Sequence, residues 1–175
     1  MNAQSLVMSR SWAMPSPQTF SIPPIADFIS RWRVGRSVDP FARNSGMADV
    51  TNDLNPETAA QYHMEAVAFC ELLAERGEMF DTVIFDPPYS PRQISECYQA
   101  VGLPVGMRET QNARLYKAAR DGLDAVLKPG GIALSFGWNS GGFGKTRGYE
   151  MGEILLVAHG GAHNDTICVA ERKLL

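Results

Sequence analysis

The chain has 175 residues, 45% of them hydrophobic, and its 16 Lys+Arg stand against 19 Asp+Glu for a formal charge of −3. That is enough apolar surface for one core, while the weakly acidic balance excludes a protein that grips a long nucleic-acid duplex by charge alone. No run approaches the roughly 18 consecutive apolar residues of a membrane-spanning helix, and the widely spaced Cys70, Cys97 and Cys168 offer no disulfide framework, so they read as reduced thiols of a soluble, cytoplasmic protein.

Residues 1–10 are expected to be disordered and residues 11–175 to form one domain. Pro15, Pro17, Pro23 and Pro24 bracket Gln18-Thr19-Phe20-Ser21-Ile22, predicting a stiff, extended segment ahead of a short helix over 25–32. Residues 36–41 read as a short strand carrying an acid, Asp39, and 49–53 repeat that design with Asp53. One helical turn from Pro56 leads to a predicted third strand over 62–66, which carries Glu65, and 67–75 is amphipathic with Phe69, Leu72 and Leu73 on one face. The apolar, β-branched run Asp81-Thr82-Val83-Ile84-Phe85 is a fourth strand that stops at Asp86-Pro87-Pro88-Tyr89-Ser90. Leu115, Ala119, Leu123 and Val126 have the spacing of a helix over 110–127, and residues 132–138 form the fifth strand. Residues 153–158 and 166–170 are two more strands, joined by a connection too short for a helix and therefore a hairpin. Alternating strands and helices of this kind predict an α/β fold, its sheet mostly parallel with a C-terminal antiparallel hairpin.

The turn at 86–89 is the most informative stretch. A carboxylate at the carboxyl end of a strand sits where open α/β sheets place their ligands, and Pro87 and Pro88 hold the following backbone rigid with its carbonyls outward. This corner suits methylation of an exocyclic amine on a planar base, a conjugated nitrogen and a poor nucleophile. An Asp86 oxygen and the Pro87 carbonyl can each accept one N–H, drawing the lone pair out of conjugation and aiming it, while Tyr89 stacks on the ring. The target base must then be flipped out or unpaired.

Asp86-Pro87-Pro88-Tyr89 resembles the [DNS]-P-P-[YFW] motif of the S-adenosylmethionine-dependent amino-methyltransferases of nucleic acids. The resemblance implies a Rossmann-like methyltransferase fold, S-adenosyl-L-methionine as cofactor, and transfer to a base exocyclic amine. Adenine N6 in DNA is the first choice because the acid is Asp86, with RNA adenine and cytosine N4 left open. Asp39 and Phe41 match the motif Asp-x-Phe-x-Gly-x-Gly, whose acid faces the methionine end of the cofactor, although Arg43 and Ser45 stand at its glycine positions. Asp53 matches the acid that binds the ribose hydroxyls, and Glu65, followed by Ala66, the position that meets the adenine amino group. Thr19 and Phe20 resemble the family's N-terminal cofactor motif, which closes over the methionine moiety.

For the substrate, Arg92 is the basic residue nearest the turn, and Lys145 and Arg147 in the glycine-rich stretch 139–148 are further candidate phosphate contacts. Gly144-Lys145-Thr146 is not the end of a phosphate loop, since Asn139 occupies the opening glycine position. Arg108, Arg114, Lys117 and Arg120 read as a solvated helix face, and His159 and His163 as turn residues, so no metal site is expected. Residues 91–109 are a candidate lid, and no separate target-recognition region is expected. The predicted partner is DNA or RNA with unpaired or flipped bases, with no membrane contact, and a homodimer or partner subunit stays open. Two rival readings remain, namely the same fold acting on a protein or small-molecule amine, and a non-catalytic partner subunit whose altered glycine loop has lost the cofactor.

Overall fold

In a computed structural model, which describes residues 5–103 and 112–174, alternating strands and helices build a seven-stranded sheet covered on both faces. The elements are β1 (Val7–Trp12), α1 (Pro23–Trp32), β2 (Ser37–Asp39), β3 (Val50–Thr51), α2 (Ala66–Glu75), β4 (Phe80–Phe85), α3 (Pro91–Ala100), α4 (Asn112–Val126), β5 (Leu127–Gly137), β6 (Tyr149–Ala158) and β7 (Thr166–Lys173). Strand order is β1-β6-β7-β5-β4-β2-β3. Strands β2 to β5 pair in parallel, and β7 lies antiparallel between β5 and β6, as the sequence predicts.

Helix α1 begins at two prolines, which fit a first turn whose N–H groups have no partner within the helix. Its Ile25, Phe28 and Ile29 are fully buried against Ile84, Leu134, Phe136 and Leu155 on one sheet face. On the other face, Phe69, Cys70 and Leu73 of α2 and Ala119, Leu123 and Val126 of α4 pack on Val38, Val83, Phe85 and Ala133. At Gly122 the two helices come so close that a β-carbon would lie 2.6 Å from Cys70 Cβ. Among the described residues, no helix is long and apolar enough to cross a membrane.

Three expectations need correction. Residues 7–10, expected to be disordered, belong to β1, which adds to the free edge of β6 in parallel. Val7 and Met8 are exposed, so backbone pairing holds this strand without the buried face that betrays a strand in sequence. The predicted third strand at 62–66 is only a bridge from Asn52 to Tyr62. Beyond it the buried Asn52 side chain replaces the ladder, accepting from Met64 N–H at 2.9 Å and donating to the Met64 carbonyl at 3.0 Å. Residues 19–21, predicted extended, form one 3-10 turn. The ends of the candidate lid at 104–109, Arg108 and the predicted helix start at 110–111 lie outside the described residues.

Replacing Gly122 by Ala sets a helix-propensity gain of about 1 kcal/mol against an overpacking cost of about 1–3 kcal/mol. Because the clashing Cys70 atom is a β-carbon that no rotamer change can move, Gly122→Ala is expected to lower the midpoint of thermal unfolding. An unchanged or raised midpoint would show that α2 and α4 can slide apart freely.

Candidate active site

The chain leaves β2 on one side and β4 on the other, so the carboxyl ends of these neighbouring strands flank the point where the strand order reverses. Asp39 ends β2 and Asp86 follows β4. The turn after Asp86 is braced from three sides. Gln93 of α3 accepts the Tyr89 N–H at 2.6 Å, the Tyr116 hydroxyl of α4 donates to the Pro88 carbonyl, and the Tyr89 hydroxyl donates to Asp86. The Tyr89 ring lies 5.6 Å from that of Trp138 and packs over Gly137, where a β-carbon would sit in ordinary van der Waals contact with it at 3.4 Å.

Two cavities meet at Asp86. The larger, about 530 Å³, is walled by Asp53, Asn55, Met64, Glu65 and Ala66 on one side and by Gln93, Glu96, Cys97 and Tyr98 of α3 on the other. The smaller, about 390 Å³, lies between residues 17–21 and the loop 41–47. Phe41, Arg43, Asn44 and Asp86 line both. Burial raises Asp86 to about 7, against the opposing effects of a hydrogen bond from the Thr19 side chain and the charge of Arg43. Asp39 is completely buried; one oxygen accepts the Phe41 N–H at 2.9 Å and the other has no partner. Burial holds its carboxyl well above the usual range, opposed by the Phe41 hydrogen bond and reinforced by the charges of Asp86 and Asp53. The charged side chains of the larger cavity are Asp53, Glu65, Asp86 and Glu96 against Arg43 alone, and with one orphaned carboxylate oxygen nearby this balance fits a cationic ligand.

Most of the residues singled out in the sequence come together here. Asp53 lines the larger cavity, although its oxygens already accept the N–H groups of Arg43 at 3.0 Å and Asn55 at 2.9 Å. Glu65 caps α2 by accepting from Val67 N–H at 3.4 Å, and Tyr98 of α3 donates its hydroxyl to it. Phe20 lines the smaller cavity with its ring edge-on to Phe136 at 5.0 Å, and Phe41 packs edge-on to Phe85 at 5.9 Å. Asp39 itself does not reach either cavity wall; it lies beneath them. Arg92 is exposed at the start of α3 and pairs with Glu96 one turn on.

Lys145 and Arg147 are not brought to this edge. Gly137 at the end of β5 pairs with Ile167, whereas Tyr149 at the start of β6 pairs with Lys173, so residues 138–148 run back along the sheet toward its opposite end. Phe143 anchors this crossover between Phe85 and Tyr149, and the buried Glu171 accepts the N–H groups of Phe143 and Gly144. Arg147 is committed to Asp121 of α4, at 2.9 Å and 3.1 Å, and to the Phe143 carbonyl. Nor is His159 an open turn residue, for it is buried between the Ala13 carbonyl and the Thr166 hydroxyl. Sequence reasoning also passed over Tyr98, Tyr116 and Trp138. Only Trp138 carried a signal, as an aromatic residue at a strand's carboxyl end.

The sequence matches no protein-family model and no curated protein. Its structure is similar to TrmN from Thermus thermophilus, with a TM-score of 0.57 and 16% identity over 87% of this chain and 49% of that one. It is also similar to NSun6 from Pyrococcus horikoshii with SFG, with a TM-score of 0.55 and 12% identity over 80% of this chain and 48% of that one. The N-methyltransferase NodS from Bradyrhizobium japonicum in complex with S-adenosyl-L-homocysteine gives a TM-score of 0.55 and 11% identity, covering 86% of this chain and 88% of its own. The chain thus has the Rossmann-like methyltransferase fold, and it spans about half the length of TrmN and NSun6.

A carboxyl group whose folded pKa is raised keeps its proton in the native state after the unfolded chain has lost it. Between the ordinary carboxylate range and about 7, Asp86 therefore makes stability fall as pH rises. Asp86→Asn is expected to flatten part of that decline, read as thermal midpoints between pH 4 and pH 7.5. Parallel curves for the two proteins would mean that Asp86 is ionised throughout.

Proposed function

We propose that this chain transfers a methyl group from S-adenosyl-L-methionine to the exocyclic amine of a nucleobase, with adenine N6 in DNA the first substrate and structured RNA the next. The observation that carries the reading is the rigid Asp86-Pro87-Pro88-Tyr89 turn at the junction of two cavities, beside an aromatic pair. When bound, the cofactor supplies an electrophilic methyl carbon on a cationic sulfur. Asp53 would hold its ribose hydroxyls and Glu65 its adenine amine in the larger cavity. Thr19, Phe20 and Phe41 would enclose its methionine end, and the unpartnered oxygen of the buried Asp39 would favour its cationic groups from below. The orphaned Asp39 oxygen and the acidic walls support this assignment.

On the substrate side, an Asp86 oxygen and the Pro87 carbonyl accept the two N–H bonds of the amine and orient its lone pair toward the methyl carbon. As the new N–C bond formed, the bond from that carbon to sulfur would break and leave its electron pair on the sulfur, while the nitrogen would become cationic and give up one proton. Asp86, raised to about 7, is a base of suitable strength to take it. Tyr116 keeps the turn in place through the Pro88 carbonyl. Trp138 is 45% exposed beside Tyr89, so the two rings form a platform on which an unpaired base can stack. Arg92 is the basic side chain best placed for a neighbouring phosphate, whereas a contact to Lys145 requires a strand that continues toward the opposite end of the sheet.

The test is transfer of labelled methyl groups to single-stranded DNA, duplex DNA and RNA in parallel, followed by nucleoside analysis. Asp86→Ala is expected to abolish transfer, because Asp86 orients the amine, while cofactor affinity in calorimetry falls far less, by the loss of one acidic wall group. Wild-type turnover in that variant would remove the turn from the chemistry. Cofactor turnover on a small-molecule or protein amine, with none on nucleic acid, would move the substrate class.

Trp138→Ala and Tyr89→Ala are each expected to weaken single-stranded substrate binding by about 1–3 kcal/mol, the worth of one stacking contact. Fluorescence anisotropy with a labelled oligonucleotide measures this. Equal affinity in the Trp138 variant would leave Trp138 outside the substrate path.

A further inference from the structure

We infer that Arg43 is the anchor for an amino-acid carboxylate, and that it binds the carboxylate of the cofactor's methionine moiety; this rests on the S-adenosylmethionine reading above. Arg43 is the one Lys or Arg among the described residues lining either cavity, where the other charged side chains are Asp53, Glu65, Asp86 and Glu96. Such walls attract an ammonium and a sulfonium but repel the carboxylate that travels with them. A cation at the junction resolves that conflict.

The geometry prepares Arg43 for the task. Its N–H donates to Asp53 at 3.0 Å, its guanidinium donates through Nη1 to the Pro17 carbonyl at 2.7 Å, and its backbone is left-handed, at φ 52°. A non-glycine residue in that conformation is strained, and the two hydrogen bonds offset that strain. A guanidinium carries five N–H donors in a planar fork, and the Pro17 carbonyl uses one, leaving donors for a planar carboxylate. The side chain thus spans from loop 41–47 to the segment before the 3-10 turn, between the cavity suited to the nucleoside and the one suited to the amino-acid tail.

The experiment compares S-adenosylmethionine with decarboxylated S-adenosylmethionine by calorimetry, so that the ligands differ in the carboxylate and share the sulfonium. Wild type, Arg43→Asn and Arg43→Lys are used. Asn tolerates the left-handed backbone and removes the charge, and circular dichroism with thermal melting verifies folding. Arg43→Asn is expected to weaken S-adenosylmethionine about 10- to 100-fold and the decarboxylated ligand by about threefold or less, with Arg43→Lys in between. Equal weakening of both ligands would assign Arg43 to loop conformation and overturn the inference, as would no change in either. Failure of the wild type to bind S-adenosylmethionine would overturn the cofactor reading itself, and this inference with it.

Discussion

Two carboxylates at the ends of neighbouring parallel strands, Asp39 and Asp86, are the constraint around which the rest of this structure is arranged. Asp39 is completely buried and Asp86 half-buried, burial raises both carboxyls, and the charge of Asp86 adds to the cost of ionising Asp39. Much of the surrounding chain answers that cost. Phe41 N–H reaches Asp39, the hydroxyls of Thr19 and Tyr89 reach Asp86, and Arg43 supplies the nearby positive charge. One Asp39 oxygen still lacks a partner. A site built this way has a standing electrostatic demand for a cation, and the proposed cofactor brings one to the place where charge is consumed in the reaction.

The same demand shapes the polymer around the site. Residues 41–47 form an irregular loop instead of a glycine-rich one, and Arg43 takes the left-handed conformation that a glycine would adopt without strain. On the far side, α3 presents Gln93 to the turn at 86–89 and Tyr98 to Glu65, so one helix touches both the proposed chemistry and the proposed cofactor cavity. Behind the turn, Tyr116 ties Pro88 to α4, whose Ala119, Leu123 and Val126 are packed deep in the core. Rigidity of the turn therefore derives from tertiary packing as well as from its two prolines.

The crossover from β5 to β6 explains why a basic loop near the site in sequence is not part of it in space. Because β6 runs parallel to β5, residues 138–148 must return along the sheet, and the glycines there serve that path. Gly142 is the clearest instance, with φ of 54° and room for a β-carbon already taken by the Glu171 carboxylate at 2.2 Å. Arg147 then fastens the crossover to α4 through Asp121. Trp138, by contrast, stays at the carboxyl end, because it directly follows the last residue of β5.

The sequence by itself determined the α/β class, the parallel sheet with its antiparallel end, and the turn at 86–89. These follow from local signals: β-branched runs, amphipathic spacing, and prolines directly after a strand. It also marked Asp39, Asp53 and Glu65 as strand-end acids, and the fold gathers them around one site even though Glu65 caps a helix instead of ending a strand. Tertiary structure alone decided what depends on partners distant in the chain. Residues 7–12 became a strand only because β6 offered a free edge, the predicted third strand shortened because the Asn52 side chain took over its pairing, and Lys145 and Arg147 moved away because of strand direction. Arg43 shows the division most directly. Its identity was plain in the sequence as a departure from a glycine motif, but its place between two cavities depends on Pro17 and Asp53, contacts that no local pattern encodes.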